Sequence, residues 1–486
     1  MLGAGPVRRV IHGSFAAFSV YIAGVGLTFF SQLLIVRLVT PDVYGVYAYV
    51  LAWMTVLAYF AALGFDVALL RFVPAYQAQH EWGLVRGVIQ YAERRSAAVG
   101  FVVVTTGIAA VALLNGEMSF EVEKTFCLGF FLVPALALLW IRCSTARAFG
   151  GVTWALLPDR IVRDGVFLGL VAVAGVLLNW KIDAPLVMMA TVIGASVGLG
   201  FASWAVHRLR PDAICLADPV RDATTWRAAA LPLVLMAAAE TVMNRSGVLL
   251  LGWLGYANDA GIYSLAFNIA FLVTLPRTAV NTLFAPTISE LFIRDDRETL
   301  QTLIARATVW TLGGAVAIAV FLAILAEPLM NWFGQDYVAG VPALVVLLVG
   351  HVIAAGAGSQ LQIMTMTGQE RYAAVLLILA AAANICASAV FIELFGLVGA
   401  AIATTMTIIG WNLAMGLFIR RRLCLTTGAV VAFSALFGPR LRRRVGSCNA
   451  VDMMDNASAL PTCPQRQQQQ QTAVQNWLKI THTTSR

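Results

Sequence analysis

The chain has 486 residues, of which 60% are apolar and 12% charged. That is about half the ~25% charge of a soluble domain, so a water-soluble protein of this size is excluded. The net charge of +8 does not point to nucleic acid, because the basic residues collect in alternate loops between apolar runs, as at the cytoplasmic face of a membrane protein.

Arg8 and Arg9 precede a first apolar run, Ser14 to Val36, which exceeds the ~7–15 residues of a signal-peptide core and reads as an uncleaved span. Further runs of spanning length follow at Tyr44–Leu70, Ser96–Leu114, Thr125–Ile141, Ile161–Leu178, Ala184–Val206, Ala229–Leu254 and Ile262–Pro286. The last are Thr308–Ala326, Val341–Met364, Tyr372–Ile392 and Gly396–Ile419. At ~20 residues each, about twelve helices account for the apolar excess without one large core. The predicted fold is an all-α polytopic membrane protein.

Orientation follows from the arginines. Roughly 21 basic residues fall on the side that holds both termini, against Arg37, Lys124 and Lys181 on the other. Both termini are therefore expected in the cytoplasm. The opposite loops are short, the longest being Glu327 to Gly340, so no outward domain holds a soluble active site.

An internal repeat divides the chain. The second span opens with Gly45-Val46-Tyr47 and ends with Phe72-Val73-Pro74; the eighth opens with Gly261-Ile262-Tyr263 and ends with Phe284-Ala285-Pro286. Each is followed by a charged amphipathic stretch, Gln79–Arg95 or Glu290–Arg306. Gly150-Gly151 and Gly368 both follow the fourth span of their half. Six spans per half leave the halves parallel, two six-helix bundles related by a pseudo-two-fold along the membrane normal. The organisation expected is a cytoplasmic N-terminus (1–13), a first bundle (14–206), a cytoplasmic linker (207–228), a second bundle (229–422) and a tail (423–486). Leu423–Phe437 is too short to span comfortably. Beyond it, the basic Arg440, Arg442, Arg443 and Arg444 and the run Gln467–Gln471 are expected to be disordered.

The run Arg37-Leu38-Val39-Thr40-Pro41 through Tyr44-Gly45-Val46-Tyr47, with Gly64-Phe65-Asp66-Val67-Ala68-Leu69-Leu70-Arg71, resembles the opening of Wzx-type polysaccharide flippases. These belong to the multidrug/oligosaccharidyl-lipid/polysaccharide exporter superfamily. Gly396-Leu397-Val398-Gly399-Ala400-Ala401-Ile402-Ala403 is similar to their penultimate-loop pattern. The likeness covers roughly Ser14 to Arg422 in span number and spacing. It implies a V-shaped pair of bundles that flips undecaprenyl-diphosphate-linked oligosaccharide across a bacterial inner membrane by alternating access. The product would be O-antigen (lipopolysaccharide), capsule or exopolysaccharide, made together with a polymerase and export machinery.

A glycan on an anionic diphosphate needs a wet, cationic cleft to cross ~30 Å of hydrocarbon. Past the opening turn of the fifth span, which holds Arg163 and Asp164, charge inside the predicted spans is confined to Asp66, Glu240, Arg245 and Arg277. Each costs ~2.5–3.5 kcal/mol at the bilayer centre and so faces a cavity or partner. Arg245 and Arg277 are the expected diphosphate contacts, because a guanidinium fork matches phosphate oxygens. Arg277 follows the helix-kinking Pro276, and Asn281 lies one turn on. A structural pairing of Glu240 with either arginine is the competing reading. Glu240 and Asn244 share a face, and Glu240 and Asp66 are candidates to bind a coupling H⁺ or Na⁺. Asn268, His351, Gln360, Gln362, Asn384 and Asn412 are available either to sugar hydroxyls or to interhelical bonds.

No nucleotide loop GxxxxGK[ST], HExxH or clustered metal ligand occurs, so no cofactor, metal or catalytic residue is expected. The seven cysteines are scattered and read as packing residues or free thiols. The alternatives are a cation-coupled multidrug exporter of the same superfamily, the peptidoglycan-precursor branch with its two extra spans, a glycan polymerase or ligase, and a non-transporting membrane scaffold. The balance of arginines over acids inside the spans favours an anionic substrate.

Overall fold

The computed structural model describes residues 4–113, 118–294, 296–423 and 425–429. The expected tail from residue 430 onward, with its basic cluster and glutamine run, lies outside them.

The described chain is helical, with no strand among the described residues. In order the helices are α1 (Ala4–Leu38), α2 (Pro41–Ala62), α3 (Phe65–Ala78), α4 (Trp82–Leu113), α5 (Phe120–Phe130), α6 (Leu132–Ala148), α7 (Val152–Leu157), α8 (Arg163–Ala172) and α9 (Ala184–Leu209). The second half holds α10 (Asp212–Leu216), α11 (Ala223–Trp253), α12 (Ala257–Phe271), α13 (Leu275–Ile293), α14 (Arg297–Ile324), α15 (Ala326–Phe333), α16 (Val341–Ala357), α17 (Gln360–Met366) and α18 (Glu370–Leu423).

Nine helices among the described residues are long and apolar enough to cross a membrane. One of them, α18, is two helices meeting at Gly396, whose φ of 57° is left-handed. A Cβ on Gly399 would lie 2.9 Å from the Ile392 nitrogen. In a continuous helix seven residues rise about 10 Å, so the chain reverses here. With α1 and the segment from Val152 to Leu177, the helices supply the twelve passes expected. Large side chains such as Phe101, Trp310 and Ile324 stay exposed on the outer helices, a surface compatible with lipid. Cations stack on aromatic rings near helix ends, as Lys124 does on Phe120 at 3.9 Å and Arg208 on Trp204 at 5.6 Å, the usual anchoring pattern at membrane interfaces.

Local chemistry sets the helix starts. Ser119, Asp183, Asp222 and Asp296 accept from the amides of Val122, Leu186, Thr225 and Thr299, satisfying orphan donors of the first turn. Pro41 and Pro185 occupy first-turn positions that need no N–H donor.

The repeat seen in the sequence is a repeat of contacts. Tyr47 on α2 hydrogen-bonds the Thr191 hydroxyl on α9 at 3.1 Å; Tyr263 on α12 does the same with Thr404 on α18 at 3.0 Å. Both second spans are broken along their length. Leu63 and Gly64 (φ 56° and 74°) separate α2 from α3, whereas a 3₁₀ turn, Leu272–Thr274, followed by Pro276, separates α12 from α13.

A third correspondence lies at the arginine-rich end. Arg86 on α4 donates to the carbonyls of Cys215 (3.1 Å) and Ala217 (2.8 Å), holding the linker after the sixth span. In the second half Arg297 on α14 donates to the Leu423 carbonyl at 2.8 Å, and Gln301 exchanges bonds of 2.7 and 3.0 Å with the Thr426 backbone. The segment after the last span, which sequence left without a role, therefore begins as a strap on α14 with Leu425 buried.

Candidate functional site

A cavity of 330 Å³ is lined by α1, α2, Arg160 and Arg163, α11, α12, the turn that follows it as far as Leu275, and Phe333 of α15. Both halves of the repeat therefore contribute to it. The volume lies at the lower end of the ~300–1,000 Å³ usual for ligand pockets.

Its cationic wall is Arg160, Arg163 and Arg245. Arg160 and Arg163 sit on a helix interrupted by the π-helical turn Pro158–Val162, a feature frequent at functional sites. Arg163 is held on both sides: Nη1 to Asp159 at 2.6 Å and Nε to Asp164 at 2.8 Å. Asp159 also reaches Arg160 at 3.6 Å. The Thr28 hydroxyl donates to Asp164 at 2.5 Å, tying α1 to this network. Asp164 is only 8% exposed, so its charge is matched by Arg163 and Thr28 instead of water.

Arg245 differs. Among the described residues no carboxylate lies within 4.0 Å of it, and its electrostatic neighbours are the hydroxyls of Tyr44, Tyr59 and Tyr47. A guanidinium facing a cavity with neutral donors and acceptors around it is poised for an anion from outside.

The predicted site residues divide. Arg245 lines the large cavity; Arg277, Asn281, Glu240, Asn244 and Asp66 do not. Asn281 lines a second cavity of 20 Å³ with Ser359 and Thr308 in the second half. Glu240 is solvent-exposed and its electrostatic partner is Arg277, with no ion pair inside 4.0 Å between them. Asp66 is half-buried in the first turn of α3. Of the polar set, Asn268 lines the large cavity. Asn384 accepts from Ser246 and Ser388, Asn412 donates to the Ile408 carbonyl, and Gln360 donates to Thr427. His351 is wedged between Phe267 and Phe271. These four serve the packing of the second half.

Asp159, Arg160, Arg163 and Asp164 escaped the sequence reading. The fifth span is predicted from Ile161, which leaves Arg160 outside it and puts Arg163 and Asp164 in its first turn. The helix begins at Val152, and the apolar Val152–Leu157 ahead of Pro158 was the signal available.

A family model described as "Polysaccharide biosynthesis protein" matches residues 10–292. No curated protein matches the chain by sequence. Among solved structures it is similar to an inward-facing multidrug resistance MATE family transporter of the MOP superfamily (TM-score 0.68, 15% identity, covering 82% of this chain and 94% of that one). It is also similar to the lipid II flippase MurJ in an inward closed conformation (TM-score 0.63, 17% identity, 84% and 87%). An outward-facing MATE transporter superposes with a TM-score of 0.57 at 14% identity, over 84% and 93% of the two chains.

Proposed function

This chain belongs to the polysaccharide biosynthesis protein family and shares the fold of the MATE and MurJ structures, and from that premise we propose that it is a multi-pass transporter of the multidrug/oligosaccharidyl-lipid/polysaccharide exporter superfamily that flips a lipid-diphosphate-linked oligosaccharide across a bacterial inner membrane. The observation that carries the reading is Arg245, a cavity arginine with no carboxylate within 4.0 Å among the described residues. A cation taken from water costs several kcal/mol unless compensated, and an anionic diphosphate is a matching partner. Arg160 and Arg163 line the same cavity but are paired, Arg160 with Asp159 and Arg163 with Asp159 and Asp164.

In this reading the arginine-rich end is cytoplasmic, by the positive-inside rule, and the two bundles alternate access to the cavity. The glycan then passes to a polymerase and export machinery on the far side. Arg277 with Glu240, and Asp66, stand apart from the cavity as candidates for coupling to H⁺ or Na⁺. The bilayer's lipids hold the substrate's polyprenyl tail while the headgroup crosses.

The test is reconstitution in liposomes carrying a fluorescent undecaprenyl-diphosphate oligosaccharide. Wild type moves the lipid between leaflets, and Arg245→Ala, folded by thermal unfolding, does not. Strong ethidium efflux with no lipid movement would replace this reading with drug export.

A further inference from the structure

Beside Arg245 the cavity carries a set of uncharged polar groups. Tyr44, in the first turn of α2, donates its hydroxyl to Gln32 Oε1 on α1 at 2.5 Å. Asn268 on α12 donates to the same hydroxyl at 3.5 Å, longer than the ~2.7–3.2 Å of a good N–H···O bond. Ser264, one turn before Asn268, lines the cavity beside it. All four line the cavity, with the apolar ring of Phe333 beside them. Each amide keeps groups unused by these bonds, the Gln32 NH₂ and the Asn268 carbonyl.

We propose that Gln32, Tyr44 and Asn268 form a sugar subsite that reads the first residue of the glycan, next to the diphosphate. The proposal rests on the reading of Arg245 as the diphosphate contact. A pyranose carries vicinal hydroxyls that both donate and accept, and it presents an apolar C–H face. A planar amide offers a donor and an acceptor side by side, matching such a hydroxyl pair, and an aromatic ring accepts the apolar face. A few convergent polar groups in an otherwise apolar pocket are the usual basis of ligand specificity. Arg160 and Arg163 lie on the segment that runs inward from the arginine-rich end, whereas Tyr44 lies near the arginine-poor end.

The same residues join the halves. Gln32 and Tyr44 belong to the first half and Asn268 to the second. A sugar hydroxyl that replaces the long Asn268–Tyr44 bond inserts the substrate into a contact between the halves. Glycan recognition is thereby linked to the contact that must part for release.

The experiment measures binding of farnesyl diphosphate, bare or carrying glucose, galactose or N-acetylglucosamine, to the purified full-length protein in detergent. Wild type is expected to bind at least one glycosylated probe about tenfold more tightly than the bare diphosphate. Gln32→Ala and Asn268→Ala are expected to abolish that gain and keep the bare diphosphate affinity, which also certifies folding. Arg245→Ala is expected to weaken all probes alike. No sugar-dependent gain in wild type overturns the subsite while leaving the diphosphate reading standing. A gain that survives in both amide variants overturns it as well. Absence of any binding to wild type, bare probe included, overturns both readings.

Discussion

Gly45 and Gly261, the glycines that open the two copies of the repeat, face each other across the molecule. A Cβ on either would lie 3.0 Å from the backbone nitrogen of the other. The second helix of each half thus touches its counterpart backbone to backbone, and only hydrogen side chains permit it. A methyl at Gly45 would also collide with the Ala257 carbonyl, and one at Gly261 with the Pro41 carbonyl. Gly45→Ala and Gly261→Ala are each expected to destabilise the protein by at least the ~1–3 kcal/mol typical of overpacking. Thermal unfolding in detergent checks this; a midpoint unchanged in both would mean that the helices part at no cost.

Tyr47 and Tyr263 make equivalent bonds to Thr191 and Thr404. Tyr47→Phe and Tyr263→Phe should therefore cost similar amounts, each ~0.5–1.5 kcal/mol. Chemical denaturation of the two variants side by side is the measurement, and a loss in one alone would break the equivalence of the halves.

Asp164 neutralises Arg163 and accepts from Thr28. Asp164→Ala removes one of the two carboxylates of Arg163 together with the acceptor of Thr28, and is expected to cost more than loss of the Thr28 bond alone. Thr28→Val removes one hydrogen bond and should cost ~1.5–3 kcal/mol, as for a bond to a charged group. Expression level and unfolding midpoint rank the two; the reverse order would show that Asp159 alone suffices for Arg163.

The strap predicts a sharp boundary for truncation. A stop codon after Ala429 keeps the Arg297 and Gln301 bonds to Leu423 and Thr426, and transport is expected to persist. A stop after Leu423 removes the Thr426 contacts and buried Leu425, and the midpoint should fall by several degrees, about 1–3 kcal/mol for one buried leucine and its neighbours. Equal stability of the two truncations would rule out a structural role for the strap.

Glu240 lies outside the cavity with Arg277 as its electrostatic partner. If it binds a coupling ion, Glu240→Gln transports with no response to an imposed proton or sodium gradient, whereas wild type responds. A gradient response retained in Glu240→Gln assigns the residue to balancing Arg277.

The passes and their repetition are legible in the amino-acid sequence alone. Apolar runs of spanning length are forced by the bilayer's thickness. The Gly-x-Tyr and Pro marks repeat because each half packs its second helix in the same way. The sequence also delivers Arg245, since an arginine amid an apolar run has few roles other than facing a cavity or partner. Tertiary structure alone decided which polar groups share a cavity. Arg245 and Arg277 look alike in the sequence, but α11 brings the first beside Arg160 and Arg163, while the break between α12 and α13 leaves the second outside. Asn268 and Asn384 are equally polar, yet one lines the cavity and the other is bonded to serines within the second half. Helical periodicity gives the face of each residue but not the neighbour that face meets, because the meeting is set by how twelve helices pack together.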